Sequence, residues 1–377
     1  MDFSQVDKHM LINIINATPE MVMNHQFSIA IENILRSFSE RKHLVIANKN
    51  FFETIIHEND GIYSQSSKNI ASNALSSLME YRAILQMVSF HIDVDFEIQD
   101  SSFKWIDLGK NYKFSCGPLY FHDSGQLQKT KIVCENPSDS DFFKIIANFY
   151  AQNANLSQCA ISFTAINGGG GSTKDTFERI TINNEITYCI VDNDKKHPLA
   201  PSGGTSAQFG KFKFQSSGCV EILDVHEIES LIPLDTIENV LKELNLLEKR
   251  KDSLNFFKEI CSINENTKFY FDHKKGFNLK SAIELDNKHG IFWKDVLSKI
   301  NIGCDCIRLK KCDCSLSCKN YDGFGDNLLN NTLTYINTKN PKKYKPILTP
   351  ILEEKWHYLG KSFFSWSCGP YKKSRVS

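Results

Sequence analysis

The sequence predicts an α/β fold: a parallel sheet with helices on both faces. Three observations in residues 128–234 predict it. Short apolar runs of strand length alternate there with segments of helical periodicity. Glu135, the glycine run Gly168-Gly169-Gly170-Gly171 and Asp192-Asn193-Asp194 each stand at the end of one such run. Ligand sites in parallel sheets lie at the carboxyl ends of strands, so the three motifs are expected along one edge.

Residues 1–127 read as a mixed α+β region with a structural or partner-binding role. Phe27, Ile29, Ile31, Ile34, Leu35 and Phe38 recur at helical spacing and predict a helix over residues 21–40. Ile70, Ala74, Leu75, Leu78 and Met79 predict a second over residues 67–86. Short strands follow between Ile92 and Phe121. In the middle region, Lys131-Ile132-Val133-Cys134 is a short buried strand ending at Glu135. Asn136-Pro137-Ser138-Asp139 starts a helix, with Asn as N-cap, Pro at the first helical position and an acid in the first turn. Residues 160–166 form a second strand closed by the glycines, residues 173–180 a short helix, residues 186–191 a third strand and residues 219–223 a fourth. Residues 235–377 are expected to be mainly helical, opening with a Leu- and Glu-rich helix over residues 236–251 and carrying a cysteine cluster at 304–318.

The 377 residues are 41% apolar, enough for sizeable cores, and carry a formal net charge of zero. No overall basic charge argues for nucleic acid, which leaves only a local patch to do so. No apolar run approaches the roughly 18–20 residues that span a bilayer. The N-terminal Met-Asp-Phe-Ser-Gln lacks the basic and apolar regions of a secretory signal. The 12 cysteines are scattered singly outside the cluster, which suits a reducing, cytoplasmic compartment.

Carboxylates gathered at one sheet edge are costly unless protons or cations neutralise them, and hard divalent ions such as Mg²⁺ or Mn²⁺ are the usual remedy. Asp192 and Asp194 can aim at one ion from a strand end, although Asp-x-Asp alone reads more readily as a solvated turn. Asp139 lies four residues beyond Glu135, close enough for both to reach one crevice. After the fourth strand comes Asp224-Val225-His226-Glu227-Ile228-Glu229. On a helix Glu227 and Glu229 face differently, and Glu229 is the favoured one. Gly168, Gly169 and Gly170 permit a tight turn and close approach to a phosphate. A P-loop is absent from the sequence. Cys304, Cys306, Cys312, Cys314 and Cys318 are candidates for structural Zn²⁺, against which the Cys-x-Cys spacing favours free thiols. His197 follows the Asp-x-Asp and reads as a solvated loop histidine or a substrate contact.

Taken in order, strand-Glu, glycine turn, strand-Asp-x-Asp and strand-acidic segment, residues 129–234 resemble the TOPRIM fold, a Rossmann-like sheet shared by topoisomerases, bacterial primases and OLD-type (overcoming lysogenization defect) nucleases. Asn136 stands where that family has a glycine, Asp139 matches the aspartate of OLD-like members, and His226-Glu227-Ile228-Glu229-Ser230-Leu231-Ile232-Pro233 looks like their glutamate motif. The resemblance implies Mg²⁺- or Mn²⁺-dependent cleavage of DNA, often in phage defence beside a separate ATPase or other sensor subunit, with a homo-oligomer as one arrangement and no membrane association. It further implies that Glu135, Asp192 and Asp194 hold one ion, that Asp139 and Glu229 help with a second, and that a lysine beyond the acidic motifs acts in catalysis. Lys274, in Asp272-His273-Lys274-Lys275-Gly276, is the candidate; a basic surface turn is the competing reading. A metal-dependent nucleotidyl- or glycosyltransferase and a non-enzymatic regulatory or assembly subunit are the alternatives.

Overall fold

The computed structural model describes residues 10–156, 159–211, 213–300, 305–312, 320–339 and 344–370. The chain begins with strands β1 (Leu11–Ile15), β2 (Leu44–Ile46), β3 (Phe90–Asp95), β4 (Phe103–Asp107) and β5 (Tyr112–Cys116), in spatial order β2-β1-β3-β5-β4. All pairs are parallel except β4–β5. This corrects the mixed α+β reading of residues 1–127: their architecture is α/β. Leu11–Ile15 (Leu-Ile-Asn-Ile-Ile) and Leu44–Ile46 are short and largely buried, and they escape a period-two search. The helix expected over 21–40 is interrupted, because the Asn24 side chain caps a new start by accepting from the Gln26 N–H at 2.9 Å. The helix expected over 67–86 likewise divides at Ser77 into Gln65–Ser76 and Leu78–Leu85.

The second sheet holds the predicted motifs. It follows β6 (Lys131–Cys134) and β7 (Cys159–Ile161) with β8 (Thr164–Asn167), β9 (Thr187–Val191), β10 (Phe214–Gln215) and β11 (Gly218–Ile222), in order β10-β11-β9-β6-β8. β11, β9, β6 and β8 run parallel, and β10 turns back against β11. β7 lies outside this sheet. Farther on, β12 (Gly276–Asn278) pairs with β13 (Asn320–Asp322), and β14 (Cys368–Pro370) pairs with β7. The expected 160–166 strand is therefore two strands in different sheets.

Alternation along β6, β9 and β11 assigns the two faces. Ile132, Cys134, Tyr188, Ile190 and Cys219 enter the main core with Phe142, Phe143 and Ile146 of helix Pro137–Asn153. Val133, Cys189, Val191 and Val220 pack on the opposite face against Phe177 and Phe209, from helices Thr173–Thr181 and Gly204–Phe209. Helices thus cover both faces.

The C-terminal region is mainly helical. Its helix Pro350–Ser365 lies along Pro137–Asn153, with the Trp356 ring edge-on to Phe142 at 5.9 Å and Phe149 at 5.4 Å. Just beyond it, Trp366 is sandwiched between Phe90 of the first sheet, at 3.9 Å, and Tyr188 of the second, at 5.0 Å. Its indole Nε1 donates to the Tyr112 hydroxyl at 2.8 Å. One continuous core therefore serves both sheets. Cys306 is buried and Cys312 half-buried, while Cys304, Cys314 and Cys318 lie outside the described residues. No described helix is long and apolar enough to cross a membrane.

Candidate functional site

The second sheet creates its crevice by reversing direction. From β6 the chain passes through helix Pro137–Asn153 to β8 on one side, then through helix Thr173–Thr181 to β9 on the other. The two helices lie on opposite faces, so a gap opens beyond the carboxyl end of β6, at the topological switch point. Glu135 and Asp192 follow the last residues of β6 and β9 and flank that gap.

Asn136, standing where the resembling family has glycine, is no obstacle to this placement. Its φ of −131° and ψ of 153° are ordinary extended backbone. Its N–H donates to Asp139 Oδ2 at 2.9 Å, so Asp139 caps its own helix and is held beside Glu135. The glycine turn supports the same point from the far side. The Gly168 N–H donates to Cys134 O at 2.7 Å and the Gly169 N–H to Glu135 O at 3.2 Å, with Gly169 at φ 74°. Of the expected phosphate cradle Gly168, Gly169 and Gly170, the first two N–H groups are given to protein acceptors, and the turn fixes the Glu135 backbone.

The two aspartates of Asp-x-Asp part company. Asp192 points into the cluster. Asp194 is exposed on the rim at φ 57°, its N–H donating to His226 O at 3.0 Å. Asn193 between them is buried and ties the turn, accepting from Lys195 N at 2.8 Å through its side chain and from Gly203 N at 2.8 Å through its carbonyl.

The remaining members come from two loops. Glu227 is extended and Glu229 is the second residue of the short turn Ile228–Leu231, so the helical assumption that set them on different faces fails. Both are buried and both reach Lys274, whose Nζ lies 3.3 Å from Glu227 Oε2 and 3.0 Å from Glu229 Oε2. Glu227 also accepts through Oε1 from the backbone N–H of His273, at 2.7 Å, and of Lys274, at 3.3 Å. One carboxylate thus holds both the backbone and the ammonium of Lys274. The structure brings Glu135, Asp139, Asp192, Glu229 and Lys274 to one edge, with Asp194 at its lip.

Electrostatics at this edge are unbalanced. Burial, then Asp194 and Asp139, push the Glu135 carboxyl up to about 7, opposed by the Asp192 N–H and Lys274. Burial raises Asp139 to about 6 against the pull of the Asn136 N–H and Lys274. Burial, with Asp139, Glu135 and Glu229, lifts Asp192 well above the carboxylate range. Burial and Glu227 bring Glu229 to about 7 despite Lys274. Burial works against the Lys274 ammonium, yet Glu229 and Glu227 hold its pKa above the usual lysine range. Among the described residues, Glu135, Asp139 and Asp192 have no ammonium at ion-pair distance, and Glu135 Oε1 is buried without a hydrogen-bond partner. Such a set takes up either protons or a cation.

Sequence reasoning did not bring three neighbours together. His226, Glu227 and Asp272 place one potential ligand atom each within 4.8 Å of one another. The adjacent His226-Glu227 pair was visible; its meeting with Asp272, 46 positions beyond His226, depends on loop closure that no periodicity encodes. His197 is not a solvated loop residue. It is buried, with Nε2 2.9 Å from Gly290 O and Nδ1 accepting from Leu199 N at 3.1 Å, so its role is to pin the loop. Comparison with protein-family models, with curated proteins and with solved structures finds no match for this chain.

Proposed function

We propose that this chain is a Mg²⁺- or Mn²⁺-dependent endonuclease, with residues 128–234 a TOPRIM-like catalytic region cleaving phosphodiester bonds in nucleic acid, DNA being the favoured substrate. The observation that carries this reading is the meeting of Glu135, Asp139 and Asp192 at the switch point of a parallel sheet, with raised carboxyl pKa values and no ammonium partner among the described residues. The donor set is all oxygen, which fits a hard divalent ion.

A bound ion supplies Lewis-acid polarisation of a phosphoryl oxygen and neutralises developing charge. The chain's own residues do the rest. Glu135, Asp139 and Asp192 hold the cation, Asp194 closes the rim, and the glycine turn and the Asn136 cap keep the first two in place. Lys274, oriented by Glu227 and Glu229, presents positive charge to the oxyanion that forms during cleavage. In metal-free protein the cluster retains protons near neutrality, because Glu135 and Glu229 are raised to about 7, Asp139 to about 6 and Asp192 well above the carboxylate range. Cation binding must displace them, so activity should climb as pH rises through that window. On the same reading the chain works in the cytoplasm as the effector of an anti-phage defence system. Lacking a P-loop, it depends on a separate ATPase or sensor subunit for control.

The test is plasmid nicking with Mg²⁺ or Mn²⁺ by Glu135→Ala and Asp192→Ala. Each should lower the rate by about 10²-fold or more, the scale of losing a transition-state contact, with the far-UV circular dichroism unchanged. Nicking at the wild-type rate in both variants would overturn the reading.

A further inference from the structure

We propose that His226, Glu227 and Asp272 form a second cation site, selective for a first-row transition-metal ion such as Mn²⁺, Fe²⁺, Co²⁺ or Zn²⁺ over Mg²⁺. The site is separate from the strand-end carboxylates. His226 and Glu227 lie in the loop after β11, and Asp272 lies in the loop before β12. All three are buried, at 6%, 6% and 7% exposure, and their ligand atoms lie within 4.8 Å of one another.

The observation that points to a ligand is the imidazole. His226 is fixed by its backbone: its N–H donates to Phe269 O at 2.8 Å, and its carbonyl accepts from Asp194 N at 3.0 Å. Yet its Nδ1 is buried with no hydrogen-bond partner, and its Nε2 stops 3.9 Å from Asp272 Oδ2, beyond hydrogen-bond reach. The ring thus makes no hydrogen bond at either nitrogen, and a buried imidazole so left calls for an explanation. The 3.9 Å between Nε2 and Asp272 Oδ2, too long for a hydrogen bond, suits two atoms that share one metal ion.

The charges already there are consistent with exchange. Lys196 Nζ sits 2.7 Å from Asp272 Oδ2, and Lys274 Nζ 3.3 Å from Glu227 Oε2. The other oxygen of each carboxylate is engaged by backbone: Asp272 Oδ1 by Lys275 N at 2.7 Å, and Glu227 Oε1 by His273 N and Lys274 N. Those contacts aim the carboxylates, as outer-shell bonds do around metal ligands. The Lys196 side chain is 48% exposed and can swing into solvent, so an incoming divalent ion displaces an ammonium at little cost. One imidazole and two carboxylates suit the mid-row metals better than Mg²⁺, and three protein ligands leave positions open for water or substrate.

This site does not depend on the nuclease reading, and its test uses binding rather than cleavage. Metal-free full-length protein is titrated with Mn²⁺ and examined by pulsed electron paramagnetic resonance for modulation from a directly bonded imidazole nitrogen. The wild type should show it, Glu135→Gln should retain it and His226→Gln should lose it. Lys196→Ala, a change at a half-exposed side chain, should tighten Mn²⁺ binding at least about fivefold by removing the competing ammonium. Absence of nitrogen modulation in the wild type, its survival in His226→Gln, or unchanged affinity in Lys196→Ala would each overturn the proposal. Failure of the nicking test alone would leave this site standing.

Discussion

Replacing Glu135 by Gln should stabilise the metal-free protein, and only at high pH. The ordinary glutamate pKa of 4.5 is raised to about 7 by burial and by Asp194 and Asp139. The folded chain therefore binds this proton more tightly than the unfolded chain. Its stability falls as pH rises from about 4.5 through 7, and the full penalty is present above 7. That shift corresponds to at most about 3 kcal/mol, and solvent access to the half-buried carboxyl reduces it to about 1–2 kcal/mol. Glutamine keeps the shape of the protonated acid and carries no charge, so Glu135→Gln should gain about 1–2 kcal/mol at pH 8 and about nothing at pH 5. Urea unfolding in EDTA at both pH values measures it. Saturating Mg²⁺ or Mn²⁺ should reverse the order at pH 8, because the wild type alone keeps the full ligand set. A variant that is equally displaced at both pH values, or less stable than wild type at pH 8 in EDTA, would refute the electrostatic account of the cluster.

Gly203→Ala should be costly while its neighbour Gly204→Ala is nearly silent. A Cβ at position 203 would stand 2.3 Å from the Asp194 side chain, whereas one at 204 meets nothing within 4 Å. Thermal unfolding should show a loss of about 1–3 kcal/mol for the first, the usual cost of overpacking, and cation affinity should fall with it. Lys274→Met leaves the buried Glu227 and Glu229 without their ammonium and should cost about 2–3 kcal/mol at pH 8, somewhat below the value for a fully buried pair because Lys274 is 32% exposed. The loss should shrink towards pH 5, where Glu229, with a pKa of about 7, is already protonated; urea titrations at the two pH values check it.

The second sheet was legible because its strands are bounded by chemistry. Pro137 and Asp139 mark a helix start directly after Glu135, and the glycine run marks where the next strand must stop. Asp192 was therefore placed at an edge by order alone. Less legible was everything that loops bring together. Glu227 was set aside on a helical assumption, and the observed extended residue followed by a short turn sends both glutamates to Lys274. Asp272 joins the site through the short bridge between Asp272 and Gly276, a closure with no sequence period. In the first region, β1 and β2 are short buried runs, and burial on both faces removes the alternation that betrays a half-exposed strand. The strand expected over residues 160–166 was divided by a partner more than 200 positions away, β14, which pairs with its first half.

The sandwich of Phe90, Trp366 and Tyr188 bears on how the molecule is made. Its rings come from three widely separated stretches, and helix Pro350–Ser365 supplies much of the cover for helix Pro137–Asn153. During synthesis, residues 131–222 emerge from the ribosome long before residues 350–370, so helix Pro137–Asn153 and Tyr188 must wait with apolar surface uncovered. A polypeptide interrupted anywhere before Trp366 therefore lacks the keystone between its sheets. The acidic edge takes its last member from Lys274, so a product truncated beyond it carries every charge of the site on a scaffold without its final packing.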